Sequence, residues 1–151
     1  MKNDEVKKYL NQISFYNSRI NSKLERRDRL KAMMTKITPT LRDDAVSGGH
    51  GSQDKLSDGM AELIDLEADI NREIDSYVNA IRDVSKTIDE VEDEKQYKVL
   101  DQRYVHGKTL EQIAVEMGYT YRNICYIHGD ALESVRSIIN RKRQTAGDET
   151  A

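Results

Sequence analysis

The sequence predicts an all-α protein in which a long antiparallel helical hairpin, a coiled coil, is followed by a C-terminal helix-turn-helix domain. Two observations predict the hairpin. Apolar residues recur in steps of three and four along two stretches of the first 96 residues, and a proline and three glycines separate these stretches. A third observation predicts the second domain, because a short amphipathic helix, a glycine turn and a further helix follow one another between Thr109 and Gly129.

The N-terminal stretch supplies the first helix of the hairpin. Its seam is predicted at Val6, Leu10, Ile13, Asn17, Ile20 and Leu24. A buried amide costs stability unless it meets a matching partner, so we expect Asn17 to set the register of the pair. Beyond Leu24 the strict register meets Arg27 and Lys31, and the apolar residues resume on a shifted line.

A loop is predicted at 38–57, between the two helices. Pro39 has no amide hydrogen and restricts the residue before it, so the first helix should end there. Gly48, Gly49 and Gly51 should make the centre of this loop flexible.

The middle stretch has the clearest repeat and supplies the second helix. Its seam is predicted at Met60, Leu63, Glu67, Ile70, Ile74, Tyr77, Ile81, Val84, Ile88 and Val91. A helix from about 58 to 96 is roughly 58 Å long at 1.5 Å per residue, and an element of that length with one apolar face needs a partner helix. That partner is the N-terminal helix of the same chain or of another chain, since both arrangements bury the same seam.

The segment TLEQIAVEMGYTYRNICYIHG, residues 109–129, has the spacing of a helix-turn-helix. Two short helices that cross steeply need a small side chain where they meet and a turn residue that tolerates a positive φ. Ala114 and Gly118 meet these needs, and Thr109 with Gln112 makes a capping box at the start of the first helix. Larger apolar residues should hold the crossing, namely Ile113, Met117, Ile124 and Ile127.

The residues around this segment carry matching start and stop signals. Gly107 suits the left-handed end of a preceding helix, and Thr120 can cap the second helix. The second helix then turns a polar and aromatic face away from Ile124 and Ile127. That face consists of Tyr121, Arg122, Cys125, Tyr126 and Gly129. Because the second helix of this motif enters the major groove, double-stranded DNA is the expected partner.

Residues 97–139 resemble region 4 of sigma-70-type factors. That region combines an Arg-Tyr-x-x-Gly segment, a Leu-x-x-Ile-Ala helix, a recognition helix and an Ala-Leu-x-x-Val-Arg segment. The matching residues are Arg103, Tyr104, Gly107, Leu110, Ile113, Ala114, Gly118, Ile124, Ala131, Leu132, Val135 and Arg136. With its helical first half, the chain is also similar to small phage and prophage regulators of the ArpU and RinA type. Nothing in it resembles the sigma domain that melts the promoter, so a complete sigma factor is not implied.

The net charge of −3 conceals a segregation of charge along the chain. Residues 1–42 carry 11 Lys and Arg against 4 Asp and Glu, residues 43–96 carry 5 against 16, and residues 97–143 carry 8 against 5. The acidic segment should pair with the basic N-terminal one. The helix-turn-helix region then remains as the basic part that DNA binding requires.

The composition argues against an enzyme, a metal protein and a membrane protein. The three histidines are scattered and the single cysteine leaves no pair at zinc-ligand spacing, so neither metal nor cofactor is expected. No apolar run approaches the ~20 residues that span a bilayer, and a lone cysteine is typical of a reducing compartment. We expect a cytoplasmic protein with a hairpin at 1–96, a helix-turn-helix domain at 97–143 and a disordered tail at 144–151.

Nine residues are candidate DNA contacts: Lys108, Thr109, Thr120, Tyr121, Arg122, Asn123, Cys125, Tyr126 and Arg136. Arg122 suits a bidentate contact with guanine, and the tyrosines suit phosphates or thymine methyl groups. Lys108 and Thr109 stand at a helix N-terminus and suit the DNA backbone. Asn123 and His128 lie at the flanks and are expected to reach phosphates. The alternative is that the tyrosines pack against the hairpin and Arg122 is only solvated.

Two functional hypotheses follow, and neither is an enzyme. In the first, the protein is a sequence-specific transcription regulator, of phage or prophage origin by its resemblance, whose hairpin forms a homodimer or contacts RNA polymerase. In the second, it is a protein adapter whose region-4-like domain docks on RNA polymerase without reading bases.

Overall fold

The chain is mostly helical over the residues that the computed structural model describes, 1–43 and 50–150. In chain order the helices are α1 (Asn3–Leu10), α2 (Gln12–Asp43), α3 (His50–Asp89), α4 (Glu94–Leu100), a π-helical segment (Asp101–Val105), α5 (Leu110–Met117) and α6 (Tyr121–Glu149). No strand occurs in these ranges, which confirms the all-α prediction. The helices divide into unit 1, Met1–Phe15 with Tyr77–Ala151, and unit 2, Tyr16–Ser76.

Unit 2 is an antiparallel pair formed by α2 and α3. Lys31 Nζ lies 3.8 Å from Glu67 Oε1. Arg19 Nε and Lys23 Nζ lie 2.7 and 3.0 Å from Glu73 Oε1, and these two cations hold the pKa of the Glu73 carboxyl below its ordinary value. Residue numbers therefore fall along α3 as they rise along α2. The hairpin closes within one chain, which the sequence had left open.

The seam of unit 2 uses a different row of α3 from the predicted one. Met60 and Ile74 were expected in the seam but are 46% and 40% exposed, whereas Glu73 is buried. Gly59 lies against Met34, where a Cβ on the glycine would come within 3.3 Å of Met34 Cγ. The small glycine and the cations that pair with Glu73 explain the choice of row. Leu63 and Ile70 belong to both rows.

The predicted seam of α2 also needs correction. Asn17 is exposed and does not set the register, while the neighbouring Tyr16 is half-buried. From Tyr16 onward the seam keeps one register, without the shift predicted beyond Leu24. Its buried or half-buried residues are Ile20, Lys23, Arg27, Leu30, Met34 and Ile37. The long aliphatic stems of lysine and arginine allow these two residue types to occupy such positions.

The helix boundaries differ from those predicted. α1 and α2 are interrupted at Asn11, and both α2 and α3 extend into the predicted loop 38–57, because α2 passes through Pro39 and α3 begins at His50. A proline removes one backbone hydrogen bond and bends a helix, but the bonds on either side can continue it. The flexible centre predicted at Gly48 and Gly49 lies outside the described residues.

The tail predicted to be disordered, 144–151, is helical as far as Glu149. The Thr145 hydroxyl donates to the Lys142 carbonyl at 2.9 Å, and the Thr150 hydroxyl donates to the Gly147 carbonyl at 3.1 Å. The Gly147 carbonyl lies in the last turn of α6, where the carbonyls have no amide partner within the helix, so the Thr150 hydroxyl satisfies it.

Unit 1 assembles three short helices around α6. α1, α4 and α5 all pack on it. The Tyr9 hydroxyl on α1 donates to Asp83 Oδ2 at 2.6 Å and lies 2.8 Å from Thr87 Oγ1 on α3. Residues 1–15 and 77–96 therefore belong with the helix-turn-helix, although we expected the division at residue 96. The core of unit 1 includes Val6, Leu10, Val84, Ile88, Val99, Leu100, Leu132 and Val135.

Candidate nucleic-acid interface

The first helix of the motif, α5, begins as the sequence predicts. The Thr109 hydroxyl accepts the Gln112 amide hydrogen at 3.1 Å, and Gln112 Oε1 accepts the Thr109 amide hydrogen at 2.9 Å. Both halves of the capping box are therefore present. Two of the backbone donors at this helix end are satisfied by these bonds, which stabilises the start of α5 at Leu110.

The turn after α5 is built around Gly118. Its φ is +71°, in the left-handed region that favours glycine. The Tyr119 amide donates to the Ala114 carbonyl at 3.0 Å and the Gly118 amide to the Val115 carbonyl at 3.3 Å. This pair of bonds is a Schellman motif, so the chain reverses direction sharply before α6.

A small apolar cluster holds α5 against α6. Ile113 and Ala114 of α5 are buried with Ile124 of α6 and Val99 of α4. Partly buried residues complete the cluster, namely Leu110, Met117, Tyr119 and Ile127. The predicted crossing residues are confirmed, and Val99 adds a contribution from α4 that the sequence did not reveal.

The N-terminal end of α6 exposes Tyr121, Arg122 and Tyr126 of the predicted polar and aromatic face, whereas Cys125 and Gly129 are half-buried. The Thr120 hydroxyl caps the helix by accepting the Asn123 amide hydrogen at 3.1 Å. Tyr121 and Tyr126 are 51% and 62% exposed, so the alternative in which the tyrosines pack against the hairpin does not hold. Arg122 lies above Tyr126, with its guanidinium carbon 5.8 Å from the ring centre and Nη2 donating to the tyrosine hydroxyl at 3.3 Å.

Asn123 and Cys125 also lie in the first turns of α6 but differ in exposure. Asn123 is exposed, whereas Cys125 is half-buried beside Tyr121. A hydrogen bond with Cys125 raises the pKa of the Tyr121 hydroxyl above its ordinary value, with a smaller contribution from the charge of Glu111. The phenol is therefore a neutral donor and acceptor near neutral pH. The first turns of α6 combine one cation, two aromatic hydroxyls and an amide within six residues.

Lys108 lies just before α5 and is held by two neighbours. Its Nζ lies 2.8 Å from Glu116 Oε2, and its backbone carbonyl accepts from Arg103 Nη1 at 3.1 Å. A phosphate can therefore engage this ammonium only in competition with, or alongside, Glu116. Thr109 and Thr120 are exposed, and each uses its hydroxyl oxygen as a cap acceptor while the hydroxyl hydrogen can still donate.

Arg136 is not part of the cluster formed by the other candidates. It lies 14 residues after Arg122 on the same helix, which corresponds to roughly 21 Å at 1.5 Å per residue. Its guanidinium pairs with Glu133, and Nη1 donates to the Met1 carbonyl at 3.4 Å. This arginine is placed to hold the N-terminus of the chain.

His128 faces inward, which the sequence did not predict. Its Nε2 lies 2.7 Å from the Tyr104 hydroxyl, and the two rings stack with centres 5.8 Å apart. Burial, followed by the charges of Lys7 and Arg103, lowers the pKa of His128 to about 4. The ring is therefore neutral at neutral pH and supports the π-helical segment instead of reaching a phosphate.

The π-helical segment contributes residues whose roles were missed. His106 donates its amide to the Asp101 carbonyl at 3.1 Å, and Lys108 donates to the Gln102 carbonyl at 3.0 Å. Gly107 between them has a φ of +71°, as the sequence predicts. Arg103 and Tyr104 lie in this segment, and their presence in the Arg-Tyr-x-x-Gly pattern was the signal that could have identified them as supports of the motif.

Over residues 1–43 and 50–150, no group of three or more His, Cys, Asp or Glu side chains is arranged to hold a metal ion. No described helix is both long enough and apolar enough to cross a membrane.

Comparison with known families agrees with this geometry. No curated protein and no solved structure matches the chain. Residues 93–137 match the family model described as "Sigma-70, region 4". The matched range covers α4, the π-helical segment, α5 and the first half of α6. The helix-turn-helix described above therefore lies within a segment that is similar to sigma-70 region 4.

Proposed function

We propose that the protein is a sequence-specific DNA-binding transcription regulator that places the start of α6 in the major groove. One observation carries the proposal: Tyr121, Arg122 and Tyr126 are exposed together on the first turns of α6, directly after a capped turn. The helix-turn-helix motif places this part of its second helix against base edges. By its resemblance, we further propose that it belongs among the small phage and prophage regulators.

Arg122 is the residue that reads sequence in this proposal. A guanidinium can donate two hydrogen bonds to guanine O6 and N7, which no other base offers in the same pattern. The Tyr126 ring beneath Arg122 restrains the guanidinium before DNA arrives, so less rotamer freedom is lost on binding. Tyr121 and Tyr126 contact phosphates through their hydroxyls or pack their rings beside thymine methyl groups, and Asn123 and Cys125 line the same surface.

The two helix N-termini position the domain on the DNA backbone. Thr109 and Thr120 cap α5 and α6, and free amides with a positive dipole at such ends attract phosphate. Lys108 adds a charge beside the first of them and exchanges Glu116 for phosphate on binding. These contacts set orientation and affinity but carry no sequence information.

Selection from a random duplex pool at about 150 mM salt tests this proposal, because screening at that ionic strength removes most non-specific attraction. We expect a reproducible motif that contains guanine, and a repeated half-site if the protein binds as a dimer. An Arg122→Ala selection run in parallel should lose preference at one position of the motif. Failure of the wild-type protein to enrich any sequence would overturn the proposal.

A second function, docking on RNA polymerase as an adapter, is favoured by a specific residue on α5. Val115 is 83% exposed, the most exposed large apolar side chain among those described. A polymerase-docking surface would bury it. If this function applies, Val115→Lys should abolish retention of the protein on core RNA polymerase without changing its affinity for DNA. Unchanged retention would exclude this surface.

A further inference from the structure

An apolar row on α3 remains exposed after the hairpin has closed. We define the α3 stripe as Met60, Ile64, Glu67, Asn71 and Ile74, all in unit 2. Ile64 is 62% exposed and Glu67 and Asn71 are also exposed. Steps of three and four place these residues on one face of the helix, immediately beside the seam. Three large apolar side chains on one face form a surface that favours association.

The α3 stripe is complementary to itself when its direction is reversed. Ile64 and Ile74 are equally distant in sequence from position 69, and so are Glu67 and Asn71. A second α3 that runs antiparallel and is centred on this position therefore places Ile64 opposite Ile74, and Glu67 opposite Asn71. The amide of Asn71 can donate to the carboxylate of Glu67, so the two polar positions also match. Such a surface, paired with its own copy, is the isologous interface of a two-fold dimer.

Among the described residues of unit 2, the opposite face of the hairpin does not offer an equivalent surface. Lys31 directly follows Leu30, and Glu67, with which it pairs, directly follows Leu66, which is half-buried in the α3 seam. Residues that directly follow a seam position therefore share one face of unit 2. Residues that directly precede seam positions lie on the other face, and most are exposed charges, including Arg26, Arg29, Glu62 and Asp65. Met33 is an isolated apolar residue among them and is 60% exposed.

The size of this face suits a dimer. Residues 53–76 of α3 extend for roughly 36 Å at 1.5 Å per residue, and two helices side by side are about 20 Å wide, so the face presents on the order of 700 Å². Each partner in a standard stable interface buries about 800 Å². A second copy must therefore cover most of this face, namely the α3 stripe and the neighbouring row of α2.

We propose that the protein forms a two-fold dimer in which the α3 stripes of two copies pack antiparallel, centred near residue 69. This deepens the proposed function, on which it rests for its biological purpose, because a dimer presents two recognition helices to two half-sites. The dimer itself forms without DNA.

Sedimentation equilibrium of the full chain without DNA tests the dimer. The wild type should show twice the monomer mass at micromolar concentrations. Ile64→Glu should raise the dissociation constant by about tenfold or more, since a charge would be buried against Ile74 of the second copy. Met33→Glu is the matched control on the other face and should leave the constant unchanged. A monomeric wild type, or equal effects of the two variants, would overturn the proposal.

Disulfide formation tests the antiparallel register. Cys125 is the single cysteine of the chain and is first replaced by serine. Ile64→Cys protein mixed with Ile74→Cys protein should form a covalent heterodimer on mild oxidation, whereas neither variant alone should cross-link efficiently. In the antiparallel pair the two copies of residue 64 lie roughly 15 Å apart along the helix, as do the two copies of residue 74, beyond the ~7 Å limit between Cα atoms for a disulfide. Efficient cross-linking of Ile64→Cys to itself would show a parallel pair or an antiparallel pair centred near residue 64, and either result would refute the register.

The outcomes separate this proposal from the proposed function. If Ile64→Glu is monomeric and still enriches a single half-site, the α3 stripe is needed for the dimer but not for DNA reading. If the wild type is a dimer but enriches no sequence, the dimer interface is supported and the proposed regulator function is refuted.

Discussion

His128 supplies a prediction about stability and pH. Its folded-state pKa is about 4, lowered chiefly by burial against Tyr104, while an unfolded histidine titrates near 6.5. The unfolded chain therefore binds more protons between these values. The stability that the neutral His128 contributes is fully present above pH ~6.5 and is lost as the pH falls toward ~4.

The magnitude follows from the same two pKa values. The full shift of about 2.5 units corresponds to roughly 3.4 kcal/mol, of which about 2 kcal/mol is lost by pH 5. Because the ring is only partly buried, solvent screening reduces this figure, and we expect about 1 kcal/mol at pH 5.

Urea denaturation of the wild type and His128→Gln at pH 7.5 and pH 5 measures the effect. The glutamine removes the titrating group while it keeps an acceptor for the Tyr104 hydroxyl. We expect the wild type to lose about 1 kcal/mol more than the variant on acidification. Equal losses in the two proteins would refute the inward, low-pKa placement of His128.

Three further predictions concern the motif. Thr109→Ala should lower the free energy of unfolding by about 1 kcal/mol through loss of the capping box, as measured by urea denaturation, with Thr109→Ser retaining most of it. Gly118→Ala should cost about 1–2 kcal/mol in the same assay, because the φ of +71° strains an L-residue although no atom lies within 4 Å of the added Cβ; no change would contradict the turn geometry. Lys108→Ala should weaken binding to all duplexes alike and reduce the salt dependence by about one charge in filter-binding titrations, and a sequence-dependent loss would contradict its assignment to phosphate.

The local structure of the motif follows from the sequence because its signals are local. Thr109 and Gln112 stand three residues apart, and the capping box needs nothing else. Gly118 likewise satisfies a backbone requirement of its own turn. Thr120 and Ile124 follow from the same short-range spacing. The fold class and the exposed face of α6 could therefore be predicted.

The seam of the hairpin could not be predicted, because it depends on the partner helix. The row with Met60 and Ile74 is more apolar than the row with Gly59 and Glu73. Glu73 is nevertheless the buried one, since Arg19 and Lys23 reach its carboxylate from α2. Asn17 failed for a related reason, because the helix phase relative to α3 decides which residue enters the seam.

Contacts between distant segments account for the other differences. Arg136 matched the family pattern, but its neighbour Met1 is 135 residues away. His128 lies on α6 as expected, but Tyr104 in the π-helical segment turns it inward. By contrast, the start of α4 could have been predicted from a local signal. The Asp93 carboxylate caps this helix by accepting the Gln96 amide hydrogen at 2.9 Å.

The most direct test of the central claim is the ratio of affinities for the selected duplex and a shuffled duplex at about 150 mM salt, measured for the wild type and Arg122→Ala. If α6 reads bases, the wild-type ratio should be on the order of 10³ or more. Arg122→Ala should reduce the difference in binding free energy between the two duplexes by about 1–3 kcal/mol, with little change in binding to the shuffled duplex. A wild-type ratio near one, or a ratio that survives the loss of Arg122, would contradict sequence reading by this face.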